Sequence, residues 1–166
     1  MLEDVLSEGL AVVFCGTGAG DRSGRVEAYY AARGNKFWQV LFRTKLTPRQ
    51  FRPEEYGLLM AHDIGLIDLA KLRIGTESSE AKNDLNVQEL KRKIADNKPT
   101  IIAFNGNEAA RRCLIVETVA YGRRKSTFEG AAVYVLPSTS VMAKDHWDEQ
   151  PWEALAAEVR KVRSDR

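Results

Sequence analysis

The sequence predicts an α/β fold built on a parallel sheet covered on both faces. Three observations carry that expectation. Short, continuous apolar runs recur at Leu10–Cys15, Pro99–Phe104 and Ala131–Leu136, too brief for helices and too uniformly apolar for half-wet strands. Segments with helical spacing of apolar residues lie between them, so strands and helices alternate. Each run also ends in small or polar residues, at Gly16 to Gly20, at Asn105-Gly106 and at Pro137 to Ser140.

The first strand, Leu10–Cys15, opens into a loop with glycines at 16, 18 and 20. Lacking Cβ, these can take positive φ and press their N–H groups on whatever sits at the strand's carboxyl end. That end is where open α/β sheets bind ligands. Asp21 to Gly34, rich in Arg, Gly and small residues and holding Tyr29 and Tyr30, reads as a long functional loop. Asn35 is placed to cap a helix with Phe37, Trp38, Leu41 and Phe42 on one face. Thr47-Pro48 predicts a short helix, and Pro53 with Glu54 and Glu55 another reaching about His62.

Asp63 to Leu69 is a brief apolar segment that, past its opening Asp63, holds one carboxylate, Asp68, and a charge inside such a run needs a reason. Arg73 to Asn83 reads as a surface loop, and Asn86 with Glu89 as a capping-box start to a helix carrying Val87, Leu90 and Ile94. The second strand feeds a helix over Glu108–Leu114. Thr127 to Gly130 predicts a turn before the third strand, which breaks at Pro137 into Ser138-Thr139-Ser140. Pro151 opens a closing helix that turns Trp152, Leu155, Ala156 and Val159 toward the core.

At 166 residues, 44% hydrophobic and without a Pro/Gly/Ser-rich linker, residues 1–166 read as a single domain. The net charge is only +2, yet basic residues cluster at Arg22, Arg25 and Arg33, at Arg111 and Arg112, and at Arg123 to Lys125. Such runs make a basic face or simply a solvated surface. Cys15 and Cys113 sit in apolar surroundings as reduced core thiols, and neither pairs with His62 or His146 at metal-ligand spacing, so no metal is expected. The amino-terminal residues lack the features of a signal peptide, and no run is long enough to span a bilayer, which predicts a cytoplasmic protein.

Dinucleotide binding fails on spacing, because G-x-G-x-x-G needs glycine where Asp21 stands. A Walker loop fails for lack of Gly-Lys-Ser/Thr, and serine hydrolase chemistry for lack of a G-x-S-x-G elbow. Five motifs in order and spacing instead resemble the mismatch-specific uracil/thymine DNA glycosylases: Gly16-Thr17-Gly18-Ala19-Gly20 after VVFCG, Asn35-Lys36-Phe37-Trp38, Gly65-Leu66-Ile67-Asp68, Phe104-Asn105-Gly106, and Leu136-Pro137-Ser138-Thr139-Ser140. The resemblance covers nearly the whole chain. It implies a uracil-DNA-glycosylase fold, a three-layer α/β/α sandwich, and cleavage of the N-glycosidic bond of a base mispaired with guanine. In that family the first motif runs Gly-Ile-Asn-Pro-Gly and its Asn holds the attacking water. Here Gly18 stands at that position, and glycine has no side chain to orient water.

A carboxylate near the sugar would supply the missing function, steadying positive charge and orienting or activating water. Asp68 is the candidate; the structural alternative is that it caps the following turn or pairs with Arg73. Asp21 is the reserve. By resemblance, Gly16, Thr17 and Gly18 form the base pocket with Tyr30, which matches the aromatic that stacks the flipped base, and with Asn35, where the family contacts it. The alternatives are a core tyrosine and a plain helix cap. Ser138, Thr139 and Ser140 resemble the loop that enters the minor groove, with Ser140, Val141 or Met142 as wedge; Asn105 and Gly106 join this DNA-binding set. An ordinary Pro-Ser turn is the alternative there.

The expectation is a monofunctional, monomeric, cofactor-free enzyme acting on double-stranded DNA with a mismatched or damaged base, since the pocket loops offer no lysine for a Schiff base. A module that holds such DNA without cleaving it is the second reading, and a nucleotide-binding protein the third.

Overall fold

Five strands form one sheet in the order β2-β1-β3-β5-β4 among the residues that the computed structural model describes, which are 2–18, 28–69, 79–117 and 119–166. The strands are β1 (Val12–Gly16), β2 (Ile64–Asp68), β3 (Ile101–Asn105), β4 (Gly122–Phe128) and β5 (Ala131–Leu136). All neighbours run parallel except β4, which returns antiparallel to β5. Helices α1 (Phe37–Arg43), α2 (Ser79–Asn97), α3 (Asn107–Leu114) and α4 (Gln150–Ser164) flank the sheet, with 3₁₀ segments at Pro53–His62 and Val141–His146. The fold is the expected three-layer α/β/α sandwich.

The strand period of two divides the core. Val12 and Phe14, Ile64 and Leu66, Ile101 and Ala103 point with Phe37, Trp38, Leu41 and Trp152 into the layer under α1 and α4. Val13, Cys15, Ile67, Ile102, Phe104, Val133 and Val135 face Val87, Leu90, Ile94 and Cys113 of α2 and α3. Strands buried on both sides must read as unbroken apolar runs, as these do. Both thiols are buried and form no disulfide.

Several local expectations are corrected. Thr47-Pro48 forms no helix: the Thr47 hydroxyl donates to the Arg49 carbonyl at 2.8 Å and holds a turn. Phe42 lies on the outer side of α1, 44% exposed, and Val40 takes the inward place. Helix α2 starts at Ser79, so residues 79–83 are helical and Asn86 sits inside the helix rather than capping it. The charged stretch Gly122–Phe128 is an edge strand, closed onto β5 by a turn in which Glu129 and Gly130 both have positive φ.

The amino-terminal segment lies along the outer edge of β2. Val5 and Leu66 exchange both backbone hydrogen bonds at 2.9 Å in an isolated antiparallel bridge. Asp4 forms an ion pair with Lys93 of α2, and the Tyr29 hydroxyl donates to the Glu3 carbonyl.

Candidate active site

Parallel strands bring their carboxyl ends to one rim, and the register fixes which residues meet there. Gly16 closes β1 directly opposite Asp68 on β2, and Asn105 closes β3 opposite Leu136 on β5. Asp68 follows Ile64 and Leu66 on the face toward α1 and α4, is 3% exposed, and has polar or ionic contact within the protein. Its carboxylate is turned to the glycine loop. A Cβ placed on Gly18 would stand 3.2 Å from Asp68 Cβ, 3.3 Å from Cγ and 3.4 Å from Oδ2. Gly18 also has φ +81°, which excludes most side chains.

Gly16 serves differently: it is extended, and a Cβ there would come within 2.8 Å of Tyr30 Oη. Tyr30 has φ 53° and lies 4% exposed, its ring centroid 4.1 Å from that of Phe37. The segment is fastened from below, because the buried Trp38 Nε1–H donates to the Tyr29 carbonyl at 3.0 Å. Asn35 accepts from the Phe37 N–H through Oδ1 at 3.0 Å and so caps α1 from one residue before Lys36. Tyr30 and Asn35 share a cavity of about 280 Å³ with Trp38 and Phe51. Thr17 instead lines the larger cleft, so the structure divides these residues between two adjoining hollows.

That cleft, about 820 Å³, collects Thr17, Asn105, Gly106, Ser138, Ser140 and Met142. Asn105 and Thr139 lock it: Asn105 Nδ2 donates to Thr139 Oγ1 and the Thr139 N–H donates to Asn105 Oδ1, both at 3.0 Å. The Thr139 carbonyl accepts from the Lys36 N–H, and the Pro137 carbonyl from the fully buried Trp152 Nε1–H. Ser138 and Ser140 turn the chain by accepting from the N–H groups of Ser140 and Met142. The result is a rigid base carrying an exposed tip: Val141 is half exposed and Met142 is 91% exposed.

Sequence reasoning missed Asn107, Glu108, Tyr121 and His146 in the same lining, while Arg33 entered only as one of a basic cluster. Burial pushes the Glu108 carboxyl up, but the Arg111 hydrogen bond and the Arg112 charge outweigh it and the net direction is down. Its carboxylate is thus held at 2.8 Å by Arg111 and 2.9 Å by Arg112. Asp21, Gly20 and Arg73 lie outside the described residues. Among the described residues, no group of three or more His, Cys, Asp or Glu side chains is placed to hold a metal ion, and no helix is long and apolar enough to cross a membrane.

A parallel sheet whose carboxyl rim joins a glycine loop, a buried acid and a braced Pro-Ser loop defines a class of α/β proteins that bind and process ligands at strand ends. The family model for the uracil DNA glycosylase superfamily matches residues 3–158, and the chain belongs to that superfamily. Members of this superfamily are typically hydrolases that act on DNA in repair.

Proposed function

We propose that the protein is a monofunctional DNA glycosylase that removes uracil mispaired with guanine, acting as a monomer on double-stranded DNA. A base stacked in a duplex is out of reach, so its nucleotide must leave the helix, which costs least at a mispair. The tip at Val141–Met142 fills the gap, and the Ser138–Ser140 hydroxyls and N–H groups grip phosphate without reading sequence. The base enters beside Gly16, Thr17 and Gly18, with Tyr30, whose other side is taken by Phe37, and Asn35 as wall.

Water then attacks C1′ of the sugar while the N-glycosidic bond breaks and its electron pair leaves with the base. Asp68 orients the water, accepts its proton and steadies the positive charge on the sugar; loop N–H groups steady the departing base. The observation that carries this reading is the closeness of Asp68 to the glycine loop: its Oδ2 lies 3.4 Å from the point a Cβ on Gly18 would occupy, so an acid stands beside the position that lacks a side chain.

The test is incubation with a duplex bearing one uracil opposite guanine, followed by alkaline cleavage of abasic sites. Wild type nicks the strand, and Asp68→Asn slows it by about 10²–10⁴-fold with the fold unchanged. Equal rates in both proteins remove the role given to Asp68. The missing side chain at position 18 favours the second reading, a non-cleaving module, and intact DNA with salt-dependent binding would establish it.

A further inference from the structure

The DNA cleft has an aromatic wall that neither the wedge nor the base pocket uses. Tyr121 immediately precedes β4, whose first residue, Gly122, pairs with Val135 near the carboxyl end of β5. The tyrosine therefore stands on the same rim as Asn105 and Ser138. It is 39% exposed and lines the cleft of about 820 Å³ with Gly106 and Met142. Its hydroxyl is held by Asn107, the first residue of α3, whose Nδ2 donates to it at 3.4 Å. Tyr121 thus belongs to the α3 side of the rim, whereas Val141 packs beside Gly34 on the α1 side.

A partly exposed aromatic ring in the wall of a mainly apolar cleft is the chemistry that stacks nucleobases whatever their sequence. A wedge that enters DNA on one side unstacks neighbouring steps, and bases so freed need a surface. We infer that Tyr121 is a second DNA contact, a platform on which a nucleobase of the bound DNA stacks, on the α3 side of the cleft. This inference rests on the DNA reading above, because only a nucleic acid brings unstacked bases to this rim.

The test measures binding to a duplex carrying a tetrahydrofuran abasic-site analogue opposite guanine, which needs no catalysis, over a range of salt concentrations. Tyr121→Ala is expected to weaken binding roughly 5- to 100-fold, the range for losing one base–aromatic stack. The slope of log affinity against log salt stays unchanged, because no phosphate contact is lost, whereas removing a phosphate contact would reduce it by about 1. Tyr121→Phe keeps the affinity. Tyr121→Leu, which keeps apolar bulk without a π face and guards against a folding defect in the alanine variant, repeats the loss. Alanine and leucine variants that bind like wild type overturn the platform and leave the DNA reading standing. A phenylalanine variant as weak as alanine overturns it too, by moving the effect to the hydroxyl. A wild type that does not bind the duplex overturns both.

Discussion

At residue scale the site turns on two glycines with different duties. Gly16 makes room for the Tyr30 hydroxyl, and Gly18 makes room for a carboxylate while bending the chain through a conformation that L residues avoid. Gly18→Ala is expected to cost about 1–2 kcal/mol of folding stability from the positive φ alone. The new methyl also presses on the acid, and a shift of about 1 Å at a reacting group lowers turnover by up to about 100-fold. Thermal melts and single-turnover excision by this variant check both; unchanged turnover would mean that the Asp68 position is immaterial. Asp68 was legible in the sequence because a lone charge inside Ile64–Leu69 contradicts its surroundings. The division of labour between Gly16 and Gly18 was not, since composition cannot tell a glycine kept for φ from one kept for clearance. Tyr121 carried no signal at all: its place on the rim depends on a strand pairing that the sequence pattern hides.

At the scale of elements, the Pro137–Ser140 loop is held by other segments as well as by its own serine hydroxyls. Trp152 of α4 stacks on Phe14 of β1 at 5.6 Å between centroids while its indole N–H secures the Pro137 carbonyl. Trp152→Ala is expected to destabilise the fold by about 3–5 kcal/mol, measured by chemical denaturation. Helix α4 was readable to within a residue at its start, because Pro151 lies in its first turn, one position after Gln150, and its buried positions follow a 3.6 period. β1, β3 and β5 were readable from unbroken apolar runs. β4 was not, because Gly-Arg-Arg-Lys-Ser-Thr-Phe follows the chemistry of an edge, where charge replaces alternation. The first turns of α2 escaped notice too, since Ser79 to Asp84 is polar but for Ala81 and its helicity comes from continuity with the packed turns that follow.

At the scale of the molecule, sheet and helix layer are joined by a small polar cluster. The hydroxyl of Tyr134 on β5 donates to Glu158 of α4 at 3.0 Å, and Arg123 of β4 donates to the same carboxylate oxygen at 2.7 Å. Burial first, and then the hydrogen bond and charge of Glu158, push the phenol up to about 12 from its ordinary value near 10. The folded state therefore holds this proton more tightly than the unfolded chain. Its contribution is intact below pH 10 and disappears as the pH rises to about 12. Wild type should lose stability across that interval faster than Tyr134→Phe in denaturation at stepped pH; parallel curves would refute the linkage.

The two borders of the sheet are finished in unlike ways. The strap at Val5 occupies the outward-facing groups of Leu66, while the far border carries Arg124 and Lys125 beside the Glu158-paired Arg123, and such charged edge side chains disfavour a second strand. A neighbouring chain finds at one border a seat already taken and at the other a fence of like charge. Growth into ribbons or fibres is opposed at both, and the strand ends remain the open rim of the sheet.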